Sequence, residues 1–276
     1  MEKIQSAIAK ARATRDANAG ISANAGLNTS GAGFGAAQIL PTAAAWAALP
    51  ALHLDGADLR KKRIVAYAGG PETVSFDVMR TKVLQQIRAN GWRRLAVTSP
   101  TAGCGKSTIS VNLALSLARQ PELRTVLLDL DLRRPSLAKM LGIHNRPSFA
   151  QVLAGKLAFD QVAMRYSEGL AVAANDGPAH NPAELLHGSS VATALTAIET
   201  QYAPDLMIFD MPPMLVSDDT MAFIGQVDAV LLIAAAGMTT LKEVDACERE
   251  LASQSNVMGV ILNKCEYMGK EYGYTY

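Results

Sequence analysis

The sequence predicts an α/β protein: one doubly wound, mostly parallel sheet with helices on both faces and a phosphate-binding turn at its carboxyl edge. Three observations predict it. Six apolar runs of strand length recur between residues 94 and 264, each followed by a helix-like segment. The runs are nearly continuously apolar rather than alternating, as strands covered on both faces are. The stretch SPTAGCGKST (99–108) sets a glycine-rich turn between the first run and the helical segment STISVNLALSLARQ.

Taken in chain order, residues 1–17 read as a short amphipathic helix. Ile4, Ile8 and Ala11 share one face, and Lys3, Lys10, Arg12 and Arg15 lie elsewhere. This is a surface or partner helix. Residues 18–40 are rich in Gly, Ala, Asn and Ser and carry no charge, a composition that buries no core and reads as a flexible linker. The GAGFGA within it lacks GxGxxG spacing and follows no strand. The segment 43–65 carries Trp46, Leu49 and Leu52, which dock on the main domain or on a partner. ETVSFDVMRTKVLQQI (72–87) has helical period. The strands follow: RLAVTS (94–99), TVLLDLDL (125–132), LAVAAN (170–175), LMIFDM (206–211), AVLLIAAA (229–236) and VMGVILNK (257–264). Strands alternating with helices make βαβ units, with ligands at the carboxyl ends of the strands. The division expected is 1–60 for the N-terminal helix and flexible region, 61–264 for the catalytic domain and 265–276 for a tail.

Composition narrows the function. The 276 residues are 49 % hydrophobic and 18 % charged, with 26 Lys+Arg against 25 Asp+Glu and a net charge of +1. That balance excludes a general nucleic-acid binder and a polybasic membrane-surface protein. The three cysteines, Cys104, Cys247 and Cys265, are odd in number and lack CxxC spacing, so a reducing compartment is expected. The N-terminus has no apolar signal-peptide core, and AVLLIAAAG (229–237) is too short to span a bilayer. The expectation is a soluble intracellular protein whose membrane role comes through a partner.

The residues that carry chemistry lie at strand ends. Backbone N–H groups of a glycine-rich turn opening a helix form an anion cradle, here Thr101, Ala102, Gly103, Cys104, Gly105, Lys106, Ser107 and Thr108. Lys106 reaches β/γ-phosphates, and the Ser107 hydroxyl binds Mg²⁺. Pro100 stands where GxxxxGK has its first glycine, so this is a P-loop NTPase turn of the deviant Walker A type. In VLLDLDLRRP (126–135), Asp129 and Asp131 are spaced two apart and face one side of an extended segment; a divalent cation removes their repulsion. Asp210 closes LMIFDMPP as a Walker-B carboxylate does. Together these residues point to ATP and Mg²⁺. Cys104 is a tolerated small residue or, at a helix N-terminus, a redox-sensitive thiol. Tyr267, Tyr272, Tyr274 and Tyr276 crowd the last ten residues of a chain with seven tyrosines, a tail with no core period.

These motifs resemble those of the bacterial tyrosine kinases of polysaccharide biosynthesis over roughly residues 58–276. SPTAGCGKST is similar to their Walker A, LLDLDLRRPSL to their second aspartate motif and IFDMPP to their Walker B; NPAELL (181–186), GVILNK (259–264) and the tyrosine-rich end also match. The resemblance implies an ATP-dependent autokinase of its own tail tyrosines, not built on the eukaryotic kinase fold. It implies that Asp129 is the base taking the tyrosine proton, that Asp131 and Asp210 hold Mg²⁺ and that Asn263 lies near the adenine. It implies a homo-oligomer. The family's ExxRxxR association helix is represented by Asp77, Arg80 and Val83, of which only Arg80 keeps the family residue. It also implies a membrane-embedded chain-length or co-polymerase activator, an opposing tyrosine phosphatase and peripheral recruitment of a cytoplasmic kinase to the membrane's inner face. Two other classes share parts of the pattern. Partition and septum-site ATPases carry an extra lysine where this chain has Thr101 and lack a tyrosine tail. A non-catalytic ATP-switched scaffold needs no Asp129.

Overall fold

The computed structural model describes residues 42–265. The helix expected over 1–17, the linker 18–40 and Tyr267, Tyr272, Tyr274 and Tyr276 lie outside the described residues.

In chain order the elements are α1 (Thr42–Ala48), α2 (Gly56–Lys61), α3 (Val74–Asn90), β1 (Arg94–Thr98), α4 (Lys106–Ala118), β2 (Thr125–Asp129), α5 (Leu137–Leu141), α6 (Ala150–Leu153), β3 (Met164–Ser167), β4 (Leu170–Ala173), α7 (Pro182–His187), α8 (Ser189–Tyr202), β5 (Leu206–Asp210), α9 (Asp219–Phe223), β6 (Ala229–Ala235), α10 (Leu241–Ala252) and β7 (Asn256–Asn263). The strands form one seven-stranded sheet in the order β3-β4-β2-β5-β1-β6-β7. The β3–β4 ladder is antiparallel and the other five are parallel. All six predicted strands are present, and their apolar continuity has the expected cause. Every residue of β2, β4, β5 and β6 is buried, between one core containing Phe149, Tyr202, Phe209 and Phe223 and a second containing Leu59, Met79, Leu113 and Leu117. Strand β3 carries no apolar run and was not expected; it turns back on β4 through Glu168 and Gly169.

The packed body begins before residue 61. Trp46 is 3 % exposed, donates its indole N–H to the Tyr202 carbonyl at 2.7 Å and meets the Tyr202 ring edge-on. Pro50 and Leu52 then bond to Arg165 across the outer edge of β3, while Leu52 and Leu59 enter the second core. The hydrophobic residues of 43–65 therefore dock on the main domain, and residues 42–60 pack as part of it.

Helix α4 runs through the second core. Ile109 to Leu117 are buried without interruption, because the sheet lies on one side and α3 on the other. Its first residue is Lys106, so the fold fixes the lysine at the carboxyl edge of the sheet.

Candidate active site

The turn from β1 to α4 is held from three sides. Thr98 donates its hydroxyl to the Pro212 carbonyl at 2.7 Å, Ser99 donates to the Thr101 carbonyl at 2.8 Å, and Asn263 Nδ2 donates to the Cys104 carbonyl at 2.8 Å. Gly105 has φ +92°, and a Cβ there would collide with Asn263 Nδ2; the backbone dihedral and the close approach both require glycine. Ala102 and Gly103 are exposed, whereas Cys104 turns inward. Burial pushes the Cys104 thiol up, but hydrogen bonds with the Thr239 and Thr101 hydroxyls bring it below its ordinary value. The first-turn amides of Lys106, Ser107 and Thr108 have no intrahelical acceptor and open toward the same edge.

Three carboxylates converge on Lys106. Its Nζ lies 2.7 Å from Asp131 Oδ2. Burial would lower the ammonium's pKa, yet Asp210, Asp131 and Asp129 together hold it above the ordinary lysine value. Asp129 and Asp210 close β2 and β5 and are paired in register. Burial, then the charge of Asp210, raises Asp129 well above the usual carboxylate range. Burial likewise raises Asp210, against the opposing pull of Lys106 and of the Ser107 and Ser110 hydroxyls. Asp129 Oδ2 accepts from the Leu137 amide at 3.3 Å, and Asp210 Oδ1 accepts from the Ser110 hydroxyl at 3.0 Å. The remaining oxygens, Asp129 Oδ1 and Asp210 Oδ2, are buried with no partner among the described residues. Two orphaned carboxylate oxygens beside a lysine suit a hard divalent cation. Among the described residues no three His, Cys, Asp or Glu side chains form a ready-made metal cage; Mg²⁺ ordinarily takes one or two carboxylates and completes its shell with phosphate and water.

Two supports were not legible in the sequence. Arg133 forks onto Asp219, with Nε at 2.5 Å and Nη2 at 2.9 Å. The Asp219 side chain is 1 % exposed, so the loop after Asp131 is tied to the loop after Asp210. A cleft of about 520 Å³ also opens beside Gly105, Thr108 and Asn263, and its far wall is Arg63, Val65 and Phe76. No motif marks these wall residues; only Asn112, a lone amide in the apolar run SVNLAL, signalled a buried polar contact in this region.

Asp77 and Arg80 are engaged within the chain. Arg80 bonds Asp77 at 2.8 Å and the Ser116 carbonyl at 3.1 Å, and Arg119 reaches Asp77 at 3.0 Å. Burial would raise the Asp77 pKa, but hydrogen bonds from Ser116 and Thr73 and the two arginines hold it below the ordinary value. Val83 lies in the second core.

Known proteins bear on this geometry. The ParA family model, described as NUBPL iron-transfer P-loop NTPase, matches residues 92–275. The tyrosine-protein kinase YwqD of Bacillus subtilis is 32 % identical over 185 residues, 66 % of this chain and 77 % of YwqD. EpsB of Ralstonia nicotianae is 31 % identical over 206 residues, 74 % of this chain but 27 % of EpsB, so the chain spans about a quarter of the length of that curated relative. The solved kinase domain of the Escherichia coli tyrosine kinase ETK superimposes with a TM-score of 0.65 at 28 % identity, covering 74 % of this chain and 80 % of that one. The P-loop turn, the paired strand-end carboxylates and these relatives agree: the chain belongs to the bacterial tyrosine-protein kinase family, on a ParA-type P-loop NTPase fold.

Proposed function

We propose that this chain is an ATP-dependent protein-tyrosine autokinase that phosphorylates Tyr267, Tyr272, Tyr274 and Tyr276 of a second copy and thereby regulates exopolysaccharide or capsule polymerisation and export. The observation that carries the reading is the convergence of Lys106, Asp131, Asp129 and Asp210 on one edge of the sheet, with two buried carboxylate oxygens left unpartnered.

The turn 101–108 binds the ATP phosphates, and Lys106 neutralises charge on the transferring group. Asp129 orients the tyrosine hydroxyl and takes its proton. The tyrosine oxygen bonds to the γ-phosphorus as the bond to the β–γ bridging oxygen breaks, and ADP leaves. Ser107, Asp131 and Asp210 would hold Mg²⁺, which would supply positive charge against the phosphates. The raised pKa of Asp129 in the free protein fits a base whose charged form needs a cation nearby. Asn263 and the adjoining cleft take the nucleoside end.

No helix among the described residues is long and apolar enough to cross a membrane. Recruitment to the inner face of the membrane is assigned to a membrane-embedded chain-length or co-polymerase activator, and reversal to a tyrosine phosphatase. Asp77 and Arg80, which tie α3 to Ser116 and Arg119, contribute to a homo-oligomer.

The test is phosphate transfer between copies. A Lys106→Met protein with its tail intact should acquire phosphotyrosine from an active protein lacking residues 265–276. If full-length protein with ATP and Mg²⁺ never yields phosphotyrosine, and the mixture yields none, the autokinase reading is rejected.

A further inference from the structure

Asn112 lies in the middle of the P-loop helix α4 and is fully buried, yet its amide is satisfied. Its Oδ1 accepts from the Val65 amide at 2.9 Å and the Ala66 amide at 3.0 Å. Its Nδ2 donates to the Arg63 carbonyl at 3.1 Å and to the Thr108 carbonyl of its own helix at 2.9 Å. Three of the four bonds therefore fasten residues 63–66 to the helix that carries Lys106. That segment lies upstream of residues 92–275, the part matched to the shared P-loop fold.

Arg63 has a left-handed backbone, φ +59°. It follows α2 in a closing turn in which the Arg63 amide bonds the Arg60 carbonyl and the Ile64 amide bonds the Leu59 carbonyl, both at 2.9 Å. Glycine is the residue such a turn favours, so the backbone does not account for an arginine. The side chain is exposed, makes no ion pair among the described residues and lines the cleft with Val65, Phe76 and Ile109, in company with Lys264 and the Arg60–Glu72 ion pair. A guanidinium without an ion-pair partner, sharing a cleft with the apolar Val65, Phe76 and Ile109 next to a phosphate cradle, suits an aromatic heterocycle joined to phosphates.

We infer that Arg63 covers the face of a purine base held in this cleft and that Asn112 is the positioning residue that sets it there. The inference rests on the nucleotide-binding reading above and adds to it: affinity for the base is set by a segment outside the P-loop fold, while the phosphates are held by the turn alone. Base and phosphate ends are thus separable.

The experiment compares MgADP with inorganic tripolyphosphate plus Mg²⁺, by calorimetry on the full chain. Arg63→Gly should weaken MgADP about five- to twentyfold, the range of a cation–π contact, leave tripolyphosphate unchanged and keep or raise the melting temperature, because glycine suits the turn. Asn112→Ala should weaken MgADP by a similar factor with tripolyphosphate unchanged, and the double variant should bind no worse than the weaker single. Asn112→Ser, whose hydroxyl can still accept from one of the two amides, should fall between wild type and Asn112→Ala, and it supplies the comparison if the alanine variant does not fold. Unchanged MgADP affinity in Arg63→Gly overturns the base contact. Equal loss of both ligands in the Asn112 variants, or additive losses in the double variant, overturns the positioning role. Wild-type protein that binds neither ligand sinks the nucleotide reading itself, an outcome distinct from either.

Discussion

Asp129 and Asp210 face each other in register at the carboxyl ends of two neighbouring parallel strands, both fully buried. They are the only Asp or Glu residues of the described strands. The arrangement costs the nucleotide-free protein stability.

The pH dependence follows from that pair. Both carboxyls have pKa values raised above their unfolded values. Their contribution is favourable at low pH, where both states are protonated, and is lost as pH rises from about 4 through the raised folded values. Asp129→Asn should flatten this fall and raise the melting temperature of the nucleotide-free protein near neutrality, by roughly 2–4 °C for each kcal/mol regained. Superimposable stability-against-pH curves for wild type and Asp129→Asn would reject the burial argument. The same variant should lose phosphotransfer while binding MgATP, since Asp131 and Asp210 remain; loss of nucleotide affinity instead would make Asp129 a metal group.

Lys106→Met removes the charge that compensates three carboxylates. Phosphotransfer should fall by at least about 10²-fold. Stability should fall by about 3–5 kcal/mol at neutral pH and recover on acidification as the carboxyls protonate. Urea titrations at two pH values read the second effect, and a loss independent of pH would mean that the lysine acts only through packing.

Arg133→Ala frees the loop after Asp131 from the loop after Asp210. The expected outcome is a drop in kcat of about ten- to hundredfold, from misplacement of groups that themselves remain, with little change in KM for ATP. A KM rise at constant kcat would instead place Arg133 on the nucleotide.

Trp46→Ala should cost about 3–5 kcal/mol, because it empties a core position and orphans the Tyr202 carbonyl. Deleting residues 1–40 should leave the basal ATPase intact, whereas deleting 1–60 should destabilise the protein. Equal stability of the two truncations would contradict the packing of α1.

The central strands were legible because burial on both faces forces near-continuous apolar runs. Asp129, Asp131 and Asp210 were legible because each sits where such a run ends, and Lys106 because the glycine-rich turn GCGKST opens a helix after the first run. Strand β3 was not: Met164, Arg165 and Ser167 hold an outer position that needs little apolar surface, and its partner arrives by a hairpin. The role of 42–60 was legible in part: Trp46, Leu49 and Leu52 mark it off from the linker before it, but the choice between the main domain and a partner rests on the docking of Trp46 on Tyr202, 156 residues away, which no local pattern encodes. The Arg133–Asp219 fork spans 86 residues, and no local pattern encodes it.

The bond from Asn263 to the Cys104 carbonyl has a mechanical consequence. Asn263 ends the last strand, two residues before the described chain stops, and its side chain grips the turn that cradles phosphate. The Asn263 carbonyl accepts from the Ala236 amide at 2.8 Å while its side chain holds the Cys104 carbonyl. The end of β7, the turn after β6 and the phosphate turn at Gly105 are thus fastened at one residue and shift as one piece.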